Sequence, residues 1–243
     1  MSLFHVGTSG WSYEGWKGFF YPEDLRSKDF LDFYCQHFDC VELNSSFYRL
    51  PTAETVNKWK HQTPNDFLFC TKLSRYITHV KKLHDVEESL RNFLKRFKNL
   101  KPKMGPILVQ LPPQVKFTNP NVEDFFKLLR RYRSFEFAIE TRHKSWISDE
   151  ALEFLEQKEM TFVIADWKNG YPTRETVTSD TVYLRFHGKD YGTKYTNREL
   201  SQYAKKTKNW LAQGKEVWAF FNNDAYGYAV ENAQTFKKIV LSN

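Results

Sequence analysis

Cysteine is scarce: Cys35, Cys40 and Cys70 are the three in a chain of 243 residues. An odd number with no C-x-x-C spacing excludes a disulfide framework and a paired-thiol redox centre, and points to a reducing compartment. No uninterrupted apolar stretch approaches the roughly 20 residues that cross a bilayer, so no membrane partner is expected. The first residues, Met1 to Val6, carry no charged leader and no long apolar core of a secretory signal, and the expected location is cytoplasmic. Walker loops, dinucleotide fingerprints and G-x-S-x-G elbows are missing, and so is any H-x-x-x-H pair of metal ligands. There is no internal repeat and no low-complexity linker, which leaves residues 1–243 as one domain.

What the chain has is aromatic and basic. Phe, Trp and Tyr make up 17% of residues, and 36 Lys and Arg against 29 Asp and Glu give a net charge of +7. A basic balance favours anionic partners, either a small phosphorylated ligand or a nucleic acid.

Eight short apolar runs recur along the chain: Phe4 to Thr8, Cys40 to Leu43, Phe67 to Lys72, Ile107 to Leu111, Phe137 to Glu140, Phe162 to Asp166, Val182 to Phe186 and Val217 to Phe221. Strands buried on both faces read as near-continuous hydrophobic runs, and helix-periodic segments lie between these ones. Asp85-Val-Glu-Glu88 and Thr196-Asn-Arg-Glu199 have the spacing of capping boxes, and Ala229, Val230, Ala233, Phe236 and Val240 form a helical stripe near the end. The pattern predicts an α/β fold, a single TIM-type (β/α)8 barrel, with a long first βα loop from Ser9 through Trp11, Trp16 and Tyr21 covering the mouth.

In such a barrel the chemistry sits at the C-terminal strand ends, where this chain puts Glu42, Lys72, Gln110, Glu140, Arg142, Asp166, Arg185, His187 and Asn222. Side chains two apart on a strand share a face, which pairs Glu42 with Asn44, Glu140 with Arg142, and Arg185 with His187. Arg142, Arg185 and Lys72 are the candidates to grip phosphate or carboxylate oxygens. Glu140 and Asp166 are candidate bases, and His187 is a candidate acid or base. Trp11 and Tyr48 offer stacking faces, while Glu42, Asn44, Gln110 and Asn222 offer polar contacts. Gly7-Thr-Ser-Gly10 has the composition of a phosphate-cradling turn.

At Gly7-Thr-Ser-Gly-Trp11, Glu42-Leu-Asn-Ser-Ser-Phe-Tyr48, Gln110-Leu-Pro-Pro113, Glu140-Thr-Arg-His-Lys-Ser-Trp146, Leu184-Arg-Phe-His-Gly188 and Phe221-Asn-Asn223 the chain resembles the YecE-like family, domain of unknown function 72. The likeness runs from Gly7 to about Ala233 and includes Thr78-His79 and Met104-Gly105-Pro106; the loop after Asp166, which begins with Trp167 and Lys168, is shorter than the family pattern. The resemblance implies a TIM-type barrel and no particular reaction.

From the residues, the expected function is an enzyme, a hydrolase, acting on a phosphate-bearing substrate such as a nucleotide or nucleic acid. Glu140, Asp166 and His187 would supply acid-base chemistry, and no cofactor is needed. Two alternatives use the same pocket. One is a non-catalytic protein that binds or senses a small anion. The other is a sugar isomerase or epimerase in which Glu42, Glu140, Asp166 and His187 hold a divalent metal.

Overall fold

The computed structural model describes residues 2–167 and 170–242. Each apolar run becomes a strand: β1 Phe4–Thr8, β2 Cys40–Leu43, β3 Leu68–Thr71, β4 Ile107–Gln110, β5 Phe137–Glu140, β6 Thr161–Asp166, β7 Thr181–Phe186 and β8 Glu216–Phe221. Between and after them lie α1 Phe30–Tyr34, α2 Ser45–Tyr48, α3 Ala53–Gln62, α4 Glu87–Phe97, α5 Val122–Arg130, α6 Asp149–Gln157, α7 Asn197–Ala212 and α8 Tyr228–Leu241. Lys168 and Asn169, at the start of the loop after β6, lie outside the described residues.

Every strand pairing is parallel. Six strands form one curled sheet in the order β1-β8-β7-β6-β5-β4, and β2 pairs with β3. Contacts link the two sheets at two places. At one, isolated parallel bridges join Phe69 to Met104 and Lys72 to Leu108. At the other, β1 and β2 are spanned by a side chain: the Tyr34 hydroxyl lies 2.9 Å from the Thr8 amide, whose hydrogen it accepts, and donates to the Cys40 carbonyl at 3.2 Å. The absence of a side chain at Gly7 permits this approach, because a Cβ there would stand 2.2 Å from the Cys40 carbonyl oxygen.

Alternation sorts the strand residues into two sets. Cys40, Cys70, Leu108, Ala138, Val163, Tyr183, Trp218 and Phe220 pack together on the concave side. Phe4, Val6, Val41, Phe69, Val109, Ile139, Phe162, Leu184 and Phe221 face outward into the larger cluster shared with the helices. Each fully buried large apolar side chain contributes about 1.5–3 kcal/mol, so burial on both faces commits these short runs to strand. The Thr196 box forms as expected at the start of α7, with Thr196 and Glu199 bonding each other's backbone. The Asp85 box does not. Val86 occupies the cap position of α4 without a side-chain bond, and Asp85 sits in left-handed backbone at φ 48.

The long loop after β1 is an aromatic block. Trp16 and Tyr21 are buried, Tyr21 stacks on Phe30 of α1 with centroids 4.1 Å apart, and Trp16 Nε1 donates to Asp224 beyond β8 at 2.9 Å. It walls the β1 and β8 side of the mouth. The covering over Arg142 and His187 comes from the loops after β6 and β7, through Trp167, Tyr171 and Tyr191.

Candidate functional site

The concave parity that buries Cys40, Cys70, Ala138 and Tyr183 carries on to Glu42, Lys72, Glu140 and Arg185 at the C-terminal strand ends. Arg185 is the hub. Its Nε and Nη2 donate to the two oxygens of Glu42 at 2.9 and 2.6 Å, and its Nη1 donates to Glu140 Oε2. Glu140 Oε1 accepts from Arg142 Nη2 at 2.6 Å and lies 3.1 Å from His187 Nε2. Glu42 also accepts from Ser9 at 2.8 Å and from the Tyr183 hydroxyl at 3.0 Å. All of these groups are buried, and Glu42 is 0% exposed.

Both carboxylates are therefore saturated. Burial alone would raise the Glu140 carboxyl, but Arg185 and Arg142 outweigh it and hold the group well below the usual carboxylate range. Burial, then Arg185, pushes His187 down to about 4, so its ring is neutral at physiological pH. Asn222 Nδ2 lies 3.1 Å from His187 Nδ1, which fits a ring that carries its proton on Nε2, donates to Glu140 and accepts from the amide.

Two cations retain unused donors. Arg142 is 5% exposed, uses Nη2 on Glu140 and leaves a buried Nε without a partner among the described residues. Its guanidinium lies 4.3 Å from the ring centroid of Trp167 and 4.8 Å from that of Tyr171. Lys72, 9% exposed, places Nζ 4.3 Å from the Phe47 ring centroid, and this ammonium makes no hydrogen bond or ion pair among the described residues. Burial, then Arg185, pushes it down to about 8, against the opposing pull of Glu140 and Glu42. Counted as charges, Arg185, Arg142 and Lys72 face Glu42 and Glu140, which leaves one positive charge when Lys72 is protonated.

Of the residues expected at the mouth, Glu42, Lys72, Glu140, Arg142, Arg185, His187 and Asn222 are brought together. Gln110 pairs in register with Glu140, and its amide has no hydrogen bond among the described residues. Asp166 is not in the cluster. It is paired in register with Phe186, which packs outward against Tyr195 and Tyr203, and its charge acts on those two tyrosines. Strand parity thus removes the expected second base and breaks up the quartet expected for a metal. Among the described residues, no group of three or more His, Cys, Asp and Glu side chains is arranged to hold a metal ion.

Three other expectations also change. Tyr48 is 73% exposed and lies edge-on to Phe47, while Trp11 packs edge-on against Trp59 of α3. Asn44 precedes α2 with its Oδ1 buried and unpartnered. The Gly7-to-Gly10 turn does not present a row of free amides, because Thr8 N–H donates to Tyr34 and Ser9 N–H to the Phe221 carbonyl.

Ser9, Tyr183 and Asp224 were missed. Tyr183 stands two residues before Arg185 on one strand, so period-2 reading could have found it. Asp224, held by Trp16, is pushed up to about 6 by burial. A cavity of about 610 Å³ opens at the opposite, N-terminal end of the strands, lined by His5, Glu136, Glu216 and Trp218 among others. None of the expected site residues reaches it.

Comparison with known proteins agrees with this anatomy. The family described as "Protein of unknown function DUF72" matches residues 5–243. The UPF0759 protein YunF of Bacillus subtilis is 26% identical over 98% of this chain and 95% of its own length. The UPF0759 protein YecE of Escherichia coli is 28% identical over 86% of this chain and 82% of its own. The crystal structure of a DUF72 family protein from Thermotoga maritima superposes with a TM-score of 0.88 at 34% identity, covering 99% of this chain and 100% of that one. Among the described residues, no helix is long and apolar enough to cross a membrane.

Proposed function

The chain belongs to the DUF72 family of proteins of unknown function, and on that premise we propose that its mouth is a binding site for a small phosphate- or carboxylate-bearing molecule. One observation carries the reading. Around two saturated carboxylates stand three cations, two of which keep donors that no acceptor among the described residues uses. A buried donor without an acceptor is costly, and Arg142 Nε is one among the described residues; an anion resting on Arg142, Lys72 and the Gln110 amide would give each of them an acceptor. Glu42, Arg185 and Glu140 then form a rigid floor that aims Arg142 upward.

We further infer that the two sheets close as one eight-stranded barrel around this floor. The bridges at Lys72 and Phe69 support closure on one side, and the Tyr34 phenol supports it on the other. The lid of Trp167, Tyr171 and Tyr191 favours a compact guest over a polymer backbone and has to part for entry. Hydrolysis by Glu140 and His187 is not favoured. A carboxylate held by three donors and a ring with a pKa of about 4 are poor proton acceptors at neutral pH.

The test is calorimetric titration of the whole protein with inorganic phosphate, next to Arg142→Gln and Lys72→Gln. Loss of a charge-assisted contact is worth about 1.5–3 kcal/mol, so each variant should bind at least about tenfold more weakly. Equal affinity in all three proteins, or no binding to any, would refute the reading.

A further inference from the structure

Resting on that anion-holding reading, we propose that Lys72 is a nucleophile that condenses with the aldehyde or ketone carbon of a small anion-bearing carbonyl compound. The fold contains its own control. Lys103 is also buried, at 5% exposed, and its ammonium donates to the carbonyls of Lys60, Thr63 and Pro64 at 2.8 Å and to Thr63 Oγ1 at 3.1 Å. That is a lysine used as a structural cap. Lys72, at 9% exposed, gives its ammonium no acceptor among the described residues and lays it instead over the face of the Phe47 ring. A structural role would have given its ammonium acceptors.

The groups facing Lys72 keep part of it in the amine form. Burial acts first, Arg185 and Arg142 repel its proton, and Glu140 and Glu42 attract it, with a net result of about 8. His79, edge-on to Phe47, is itself pushed down to about 4 by burial and by Lys72, so it is a neutral neighbour. At pH 7 about a tenth of the lysine is then free amine, whereas an ordinary surface lysine is almost wholly protonated. Arginine cannot play this part, since its guanidinium stays charged.

In the step itself the Nζ lone pair forms the bond to the carbonyl carbon while the C=O π pair moves to oxygen. Nitrogen gives up a proton, oxygen takes one, and the carbinolamine then expels water as the N=C bond forms. Atoms and charge balance without an oxidant or reductant. The substrate's anionic end rests on Arg142 and Gln110, which points the carbonyl toward the strand end where Lys72 stands.

The experiment treats the full chain at pH 8 with dihydroxyacetone phosphate or, as the uncharged counterpart, dihydroxyacetone. Sodium cyanoborohydride fixes any imine as a stable amine, and peptide mapping by mass spectrometry locates it. Lys72 should be labelled about tenfold faster by the phosphorylated probe than by the neutral one, and faster than surface lysines. Excess inorganic phosphate should suppress the labelling, and Lys72→Arg should abolish it. Labels confined to surface lysines, while phosphate still binds, would overturn the imine and leave the anion site standing. Equal labelling of Lys72 by both probes, indifferent to phosphate, would overturn the assigned substrate class. Absence of both labelling and phosphate binding would remove the two readings together. The wild-type map decides these outcomes even if Lys72→Arg fails to fold.

Discussion

Replacing Arg185 by methionine tests whether the charged floor is a dry, closed unit. The side chain is 1% exposed and bonds Glu42 through Nε and Nη2 and Glu140 through Nη1. Removing it leaves Glu140 with Arg142 and His187, but leaves Glu42, among the described residues, with only the hydroxyls of Ser9 and Tyr183. Breaking a buried pair by deleting one partner costs about 3–5 kcal/mol, and a guanidinium shared by two carboxylates belongs at the upper end. Against a total stability of about 5–15 kcal/mol that is a large fraction. In urea, with an m-value of about 2–3 kcal/mol per molar, the midpoint should fall by roughly 1–2 M, as read by tryptophan fluorescence. The deficit has a pH signature. In the wild type, Glu140 titrates below its ordinary 4.5, so its stabilisation is present at neutral pH and is lost as pH falls below that value. In Arg185→Met, Glu140 loses the first of the two guanidinium groups that hold it low and titrates higher than in the wild type, so the variant's disadvantage is fully present at neutral pH and shrinks as pH falls below about 4.5. Restoring charge balance with Glu42→Gln in the same chain should recover much of the loss. A decrease under about 1 kcal/mol at pH 7, with m unchanged, would mean the cluster is hydrated and the picture of a dry floor is wrong.

Three more outcomes follow from the same geometry. Gly7→Ala drives a Cβ to within 2.2 Å of the Cys40 carbonyl oxygen, so it should cost at least about 1–3 kcal/mol in a chemical denaturation curve; a neutral result would show that β1 and β2 stand farther apart. Asp224 has a folded value of about 6 against an ordinary 3.8, so its contribution to stability is lost as pH rises from about 3.8 through about 6, and Asp224→Asn, which keeps the acceptor for Trp16, should flatten melting temperature between about pH 4 and pH 6. An unchanged pH profile would place that carboxyl in water. Nitrogen-detected NMR should find the His187 ring neutral at pH 5.5, with its proton on Nε2; a doubly protonated ring there would contradict the value of about 4.

Much of this architecture was legible before any coordinates. Contiguous apolar runs located all eight strands to within a residue or two, because a strand covered on both faces has no room for polar residues until it ends. The period of two also linked Glu140 to Arg142 and Arg185 to His187. Other features lay out of reach for physical reasons. Phe162 to Asp166 is apolar without alternation, so nothing in it marks which face Asp166 takes. The partnership of Glu42 with Arg185 spans 143 residues and depends on sheet curvature. Asp85 has the composition of a cap, yet the chain passes through left-handed backbone at Lys82, Leu83 and Asp85 before α4 begins. Local spacing does not foresee such a path.

The phenol bridge between the first two strands has a kinetic corollary. A ladder of backbone bonds opens cooperatively, but a junction held by side chains, here the Tyr34 phenol and the Ser9 hydroxyl on Glu42, has no such ladder to resist opening. The Thr8 amide, whose acceptor among the described residues is the Tyr34 hydroxyl, should therefore exchange its hydrogen for deuterium sooner than the amides paired between β7 and β8. Ser9 and Glu42 stand on opposite banks of that junction, so each parting would tug on the charged hub, and a guest that tightens the hub should slow the exchange at a site it never touches.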